Sequence, residues 1–147
     1  MSTYTTEIDV RFRDIDAMGH VNNAVYATYV EQARSEYYRD VLDADLARVS
    51  TVLASLSLDF RRPVELTDGT VTATVDVDAV GRSSVSMSHE IRVGAGGTDA
   101  DESGETAGDE TTVAEATATL VTIDPDSGEP RPVPEAFRTA ITEFHEL

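Results

Sequence analysis

Asp14–Arg39, DIDAMGHVNNAVYATYVEQARSEYYR, sets two acids separated by one residue, a Met18-Gly19-His20 turn and the pair Asn22-Asn23 ahead of an aromatic-rich run. Glycine lets the chain turn sharply. An asparagine before a periodic apolar run is a helix N-cap signal. From Asn23 onward Tyr26, Val30, Ala33, Tyr37 and Val41 recur at steps of four, three, four and four, which is one face of an α-helix. That helix is expected to end near Leu42 to Asp45. A carboxylate and an imidazole therefore sit in the loop that enters a mostly buried helix. The first helical turn adds unpaired N–H groups and the positive end of the dipole. A base or nucleophile beside such a helix end is suited to attack on a carbonyl.

Upstream, Tyr4, Thr6, Ile8, Val10 and Phe12 alternate with polar neighbours, so a half-buried strand over Tyr4–Phe12 delivers the chain to Asp14. Downstream, Val52, Ala54, Leu56, Leu58 and Phe60 predict a second strand, closed by Arg61-Arg62-Pro63. A turn at Asp68-Gly69 precedes a third strand carried by Val71, Ala73, Val75, Val77 and Ala79. Gly81 marks the next turn, and Val85, Met87, His89, Ile91 and Val93 form one face of a fourth. Val113–Ile123 is apolar or small on both sides and predicts a central fifth strand. Pro134 opens a short closing helix with Phe137, Ala140, Ile141 and Phe144 on one face. Residues 94–110 hold no large apolar side chain and are dense in Gly, Asp and Glu, which predicts a solvated loop insertion within one domain spanning 1–147. One strand, a long helix and then four strands is an α+β pattern.

The Asp14–Arg39 string resembles the hotdog-fold thioesterases of the 4-hydroxybenzoyl-CoA thioesterase type. Their pattern is an Asp-x-Asp, a glycine-containing turn that is often His-Val-Asn-Asn, and an aromatic-rich helix carrying a Glu and an Arg. Asp14, Asp16, Gly19, His20 to Asn23, Glu31 and Arg34 hold those places here. The resemblance implies a five-stranded antiparallel sheet wrapped around the central helix, and a homodimer or homotetramer with active sites at a subunit interface. It implies hydrolysis of an acyl-CoA thioester without metal or cofactor. Two alternatives share the fold: an acyl-carrier-protein thioesterase, and a hotdog that binds acyl-CoA without hydrolysing it.

Asp16 matches the catalytic Asp of that motif, as nucleophile or general base. Asp14, at the end of a strand, reads as a loop-tying carboxylate. An Asp-x-Asp with a nearby His could hold a divalent cation, but only three candidate ligands are present and no metal is expected. His20 suits acid–base or substrate-orienting work by its near-neutral pKa, and equally a structural role. In the plant acyl-carrier-protein branch a His at this place belongs to the catalytic set, together with an Asn where Met18 stands here. The backbone N–H of Asn23 is placed to polarise the thioester carbonyl, while Asn22 or Asn23 caps the helix. Glu31 and Arg34, three apart, are spaced for an ion pair, and some family members carry the Glu close to the thioester. Gly81-Arg82-Ser83-Ser84 resembles a turn that lies near the CoA phosphates in family members. Arg61 and Arg62 form the other local positive cluster, suited to phosphate. His89 falls on the apolar face of its strand and reads as a core or interface residue rather than a ligand.

The net charge is −17, with 28 acidic residues against 11 basic ones, every one of them Arg. Such a charge argues against nucleic acid and anionic membrane as partners. No run approaches the ~20 apolar residues of a membrane span, and the first ten residues lack the basic and apolar regions of a secretory leader. Without cysteine there is no disulfide or thiolate chemistry, and a cytoplasmic location is the simplest expectation. So acidic a chain without lysine is expected to be adapted to molar salt. Raising KCl from ~0.01 M to ~1 M shortens the screening length from ~30 Å to ~3 Å and removes most carboxylate repulsion. The melting temperature and the oligomeric fraction should therefore rise into molar KCl. Thermal unfolding with light scattering across a KCl series checks this, and a flat or falling melting temperature contradicts it.

Overall fold

The computed structural model describes residues 2–43, 50–94 and 110–147. Most of the expected acidic insertion at 94–110 lies outside the described residues, as does part of the connection after the first helix. The elements run β1 (Tyr4–Asp9), α1 (Asn23–Asp40), β2 (Thr51–Phe60), β3 (Thr70–Val80), β4 (Ser84–Gly94), β5 (Glu110–Thr122) and α2 (Glu135–His145). The five strands form one antiparallel sheet in the order β1-β3-β4-β5-β2. This is the expected hotdog: α1 connects the two edge strands and lies across the inner face, packed on β1, β3 and β4.

α1 holds that position through a stripe at helical spacing. Tyr26, Tyr29, Val30, Ala33, Arg34, Tyr37 and Tyr38 are all buried. They meet Val71, Ala73, Val75 and Val77 of β3 and Met87 and Ile91 of β4, alternate residues facing one way along each strand. Full burial of an aliphatic side chain such as Val30 or Ile91 stabilises by roughly 1.5–3 kcal/mol. α2 closes the far end, where His145 accepts the Tyr37 hydroxyl at 2.8 Å and donates to the Ser2 carbonyl at 2.9 Å. No helix among the described residues is long and apolar enough to cross a membrane.

Three departures from the sequence reading have local causes. β1 stops at Asp9, and Phe12, expected on its inward face, is 82% exposed. Residues Phe12–Asp14 instead form a 3-10 turn, closed by the Arg11 N–H donating to the Asp14 carboxylate. In β2 a bulge between Leu53 and Ser55 shifts the alternation. Leu53 thereby joins the face of Leu120, and Val52 is left on the other side. α1 ends at Asp40, before the expected Leu42 to Asp45. β5, expected to be central, is interior but next to an edge strand, and β4 is the middle strand.

His89 is core, as its place on the apolar face of β4 predicts. It is 2% exposed, and its Nδ1–H donates to the Thr74 carbonyl at 3.0 Å. Loss of hydration lowers its pKa to about 4, outweighing that hydrogen bond. The unfolded chain, with an ordinary histidine near 6.5, then takes up the proton first. The stabilisation held by neutral His89 is complete above pH 6.5 and is lost as pH falls from there toward 4. A shift of this size corresponds to an order of 3 kcal/mol. Urea unfolding at pH 7 and pH 4.5 should show His89→Gln losing about 2 kcal/mol less than the parent chain over that interval. Equal losses would contradict a buried neutral imidazole.

Candidate active site

The loop between Asp14 and α1 is built by its own backbone. Ile15 and Val21 pair as an antiparallel bridge, and the five residues between them close on themselves. The Asp16 N–H donates to the His20 carbonyl at 2.9 Å, and the Gly19 N–H donates to the Asp16 carbonyl at 3.0 Å. Gly19 has φ of +84°, which glycine adopts without strain. The Met18 N–H donates to Asp16 Oδ1 at 2.9 Å. That bond fixes the carboxylate and leaves Oδ2 without a hydrogen-bond partner among the described residues.

Asp14 ties this loop to the helix, the role its position predicts. Its carboxylate accepts the Tyr29 hydroxyl at 2.8 Å and the Arg11 N–H at 2.9 Å, and its carbonyl accepts the Asn22 N–H at 2.9 Å. Burial, then the Asp14 charge, hold the Tyr29 phenol well above its ordinary pKa, so it stays a donor. From the other side, the Val21 N–H donates to the Val64 carbonyl at 2.8 Å. Asn22 is the N-cap: its side-chain oxygen accepts the Ala24 N–H at 2.9 Å. The Asn23 N–H, in the first turn, has no acceptor among the described residues, as helix starts require unless something outside the helix supplies one.

A cavity of about 350 Å³ opens at this helix start. Asp16, Met18, His20 and Asn23 line one side, and Tyr26, Phe60, Arg61 and Arg62 the other. Tyr26 and Phe60 meet edge to face, with centroids 5.1 Å apart at 80°. His20 lies 3.9 Å from the Glu65 carboxylate, their side chains 41% and 59% exposed. Arg61 is committed to Glu115 of β5 by an ion pair, whereas Arg62 has no ion-pair partner among the described residues. No three acidic or imidazole groups among the described residues converge as a metal site.

Asp16, His20, Asn23, Arg61 and Arg62 thus share one cavity, and four expected residues stand apart. Glu31 is exposed further along α1, where it lines a second cavity beside the buried Arg34. The Glu31–Arg34 ion pair is not formed: Arg34 is turned into the core with no ion-pair partner among the described residues. Arg82, Ser83 and Ser84 lie at the opposite end of the sheet. Phe60 pairs with Ala114, and Ala114 with Ile91, seven residues along β4 from Ser84. At about 3.4 Å per residue that is roughly 24 Å. Tyr26 and Phe60 are the wall residues that the sequence reading used only as helix and strand positions. The signal that could have found them is their placement, one turn into the helix and immediately before Arg61-Arg62.

Residues 10–141 match the thioesterase-like superfamily. The chain belongs to this superfamily. A thioesterase from Thermus thermophilus, solved with coenzyme A and zinc, is 34% identical, with 97% of this chain and 94% of that chain covered at a TM-score of 0.78. A 1,4-dihydroxy-2-naphthoyl-CoA thioesterase from Synechocystis is 18% identical over 97% of each chain at a TM-score of 0.79, a likeness of fold. The uncharacterized protein YsmA of Bacillus subtilis (strain 168) is 29% identical over 86 residues, which are 58% of this chain and 58% of that protein. The superfamily and fold expected from Asp14–Arg39 are therefore both found.

Proposed function

We propose that this chain hydrolyses acyl-CoA to a free acid and CoA, using its own side chains and no metal or cofactor. The observation that carries the reading is one juxtaposition. The Asp16 carboxylate, with Oδ2 uncommitted, lines the same cavity as Asn23, whose N–H has no acceptor among the described residues. A thioester carbonyl seated there accepts the Asn23 N–H, which stabilises the oxygen as negative charge grows on it. One such donor is typically worth ~2.7–4 kcal/mol of barrier. Oδ2 either takes the proton of an attacking water or attacks the carbonyl carbon itself. In the first route the water oxygen displaces the thiolate directly. In the second the thiolate leaves an acyl–Asp16 anhydride, which a water then hydrolyses to restore the carboxylate. Either way the C–S bond breaks and the products are acid and thiol. His20, beside Glu65, is placed to orient substrate or assist proton transfer. Arg62, free of a protein carboxylate among the described residues, is the phosphate-directed cation of this cavity.

Arg82, Ser83 and Ser84 cannot serve Asp16 of their own chain across roughly 24 Å. They fit a dimer. β2 is an edge strand whose outer backbone has no strand partner among the described residues, and Val52, Leu53 and Phe60 are each more than 40% exposed. Such an edge invites a second copy. Antiparallel pairing of β2 with β2 sets the Phe60 end of one copy beside the Thr51 end of the other. The partner's Arg82 then lies at the same end as Asp16, where a phosphate group reaches it. The acidic surface and absence of lysine suit a protein of a high-salt cytoplasm.

Purified protein incubated with a panel of acyl-CoAs and a thiol-reactive dye should release thiol from at least one member, and binding without release would leave the non-hydrolytic reading. Arg82→Ala should raise KM for that acyl-CoA about tenfold, the scale of one lost charged contact. It should leave the matching acyl-pantetheine, which lacks the phosphates, almost unaffected. An equal loss on both substrates would contradict a phosphate contact.

A further inference from the structure

The seam between α1 and β2 carries a second cavity, of about 280 Å³, further along the helix. Five of its seven lining residues are polar: Glu31, Arg34, Ser35, Tyr38 and Thr51, with Leu53 and Leu120 completing it. Arg34 is only 5% exposed, and its Nη1 is shut away with no acceptor. Among the described residues the guanidinium makes no hydrogen bond and no ion pair. Burial pulls its pKa down, against weaker pulls upward from Tyr38 and Glu31, neither of which hydrogen-bonds to it. A cation buried without a counter-charge is costly, and a planar guanidinium meets a carboxylate through two parallel hydrogen bonds. A fatty chain would leave this cation without an anion.

Both cavities are bordered by α1 and β2. Phe60 lines one and Leu53 and Thr51 the other, on the same strand, with the half-buried Leu56 and Leu58 between them. Asn23 and Arg34 are eleven residues apart, a rise of about 16 Å along the helix. Helical side chains lean toward the N-terminus, which shortens the gap.

We propose that Arg34 determines acyl specificity by binding a carboxylate at the far end of the acyl group. The favoured substrates are then mono-CoA thioesters of dicarboxylic acids, with the methylene spacer on Leu56 and Leu58. This rests on the thioesterase reading for the position of the thioester. Exposed Glu31 lies on the solvent side, and direct contact with the guanidinium outweighs its screened repulsion.

The test pairs ω-carboxyacyl-CoAs, from succinyl to suberyl, with neutral acyl-CoAs of equal length, on the parent protein and on Arg34→Met. For at least one length, kcat/KM should favour the carboxylate tenfold or more, and Arg34→Met should abolish that ratio while changing the neutral substrate less than threefold. No preference at any length, or one that survives Arg34→Met, overturns the proposal. So does a variant that loses only its dimer, since the counter-charge then comes from the second copy. Free dicarboxylates supply a readout independent of turnover and of the variant's folding. They should raise the melting temperature of the parent protein more than monocarboxylates of equal length, and equal effects overturn the proposal. A dicarboxylate shift in a protein that releases no thiol would uphold the Arg34 site while the thioesterase reading fails.

Discussion

The Asp14 carboxylate is the contact on which the site depends. It holds the end of the β1 segment through Arg11, and the body of α1 through Tyr29. Its own carbonyl holds the helix start through Asn22. Three pieces of chain are brought to one residue, and Asp16 follows two positions later. The orientation of the Asp16 loop relative to the first helical turn is therefore set by a partly buried hydrogen-bond network. Such networks fix geometry more firmly than their separate bonds suggest. Asp16 is left to be held by Met18 alone on one oxygen, free on the other among the described residues.

Strand order supplies the second constraint. α1 must carry the chain from one edge of the sheet to the other, so its N-terminus lies at one end of the sheet and its C-terminus at the other. The cavity at Asp16 and the Arg82 turn are thereby separated within a chain, and β2 is left with an open backbone edge. The proposed site completed by two copies rests on this connectivity, with the β2 edge as the surface for pairing.

Much of this was legible in residues 14–39. The Asn22 cap, the Tyr26–Tyr37 stripe and the Gly19 turn are local signals, and each is found where spacing placed it. Asp14 as a tie and His89 as core followed from position and alternation. What failed has two sources, local backbone geometry without a sequence signature and contacts distant in sequence. Phe12 continues the alternation of β1, yet the Arg11–Asp14 bond turns the chain first. The bulge at Leu53/Ser55 has no signature among Val, Leu, Ala and Ser. Glu31 and Arg34 carry ideal ion-pair spacing, but the sheet covers one side of the helix and Arg34 falls on that side. Arg61 reads as a free cation until Glu115 is brought beside it across β2 and β5.

The electrostatics follow the same division. A chain of net charge −17 keeps Arg62 at the cavity mouth and Arg34 in the interior, both without an anion among the described residues. These are the places where an anionic substrate gains most from contact. The central claim remains that Asp16 performs the chemistry on a carbonyl held by the start of α1. Its most direct test is Asp16→Asn, which keeps size and hydrogen-bonding capacity and removes basicity and nucleophilicity. Thiol release from the best acyl-CoA should fall about a thousandfold or more, the scale of general-base or nucleophile removal, with melting temperature and acyl-CoA affinity nearly unchanged. Undiminished turnover in Asp16→Asn would contradict the account and move the chemistry to His20.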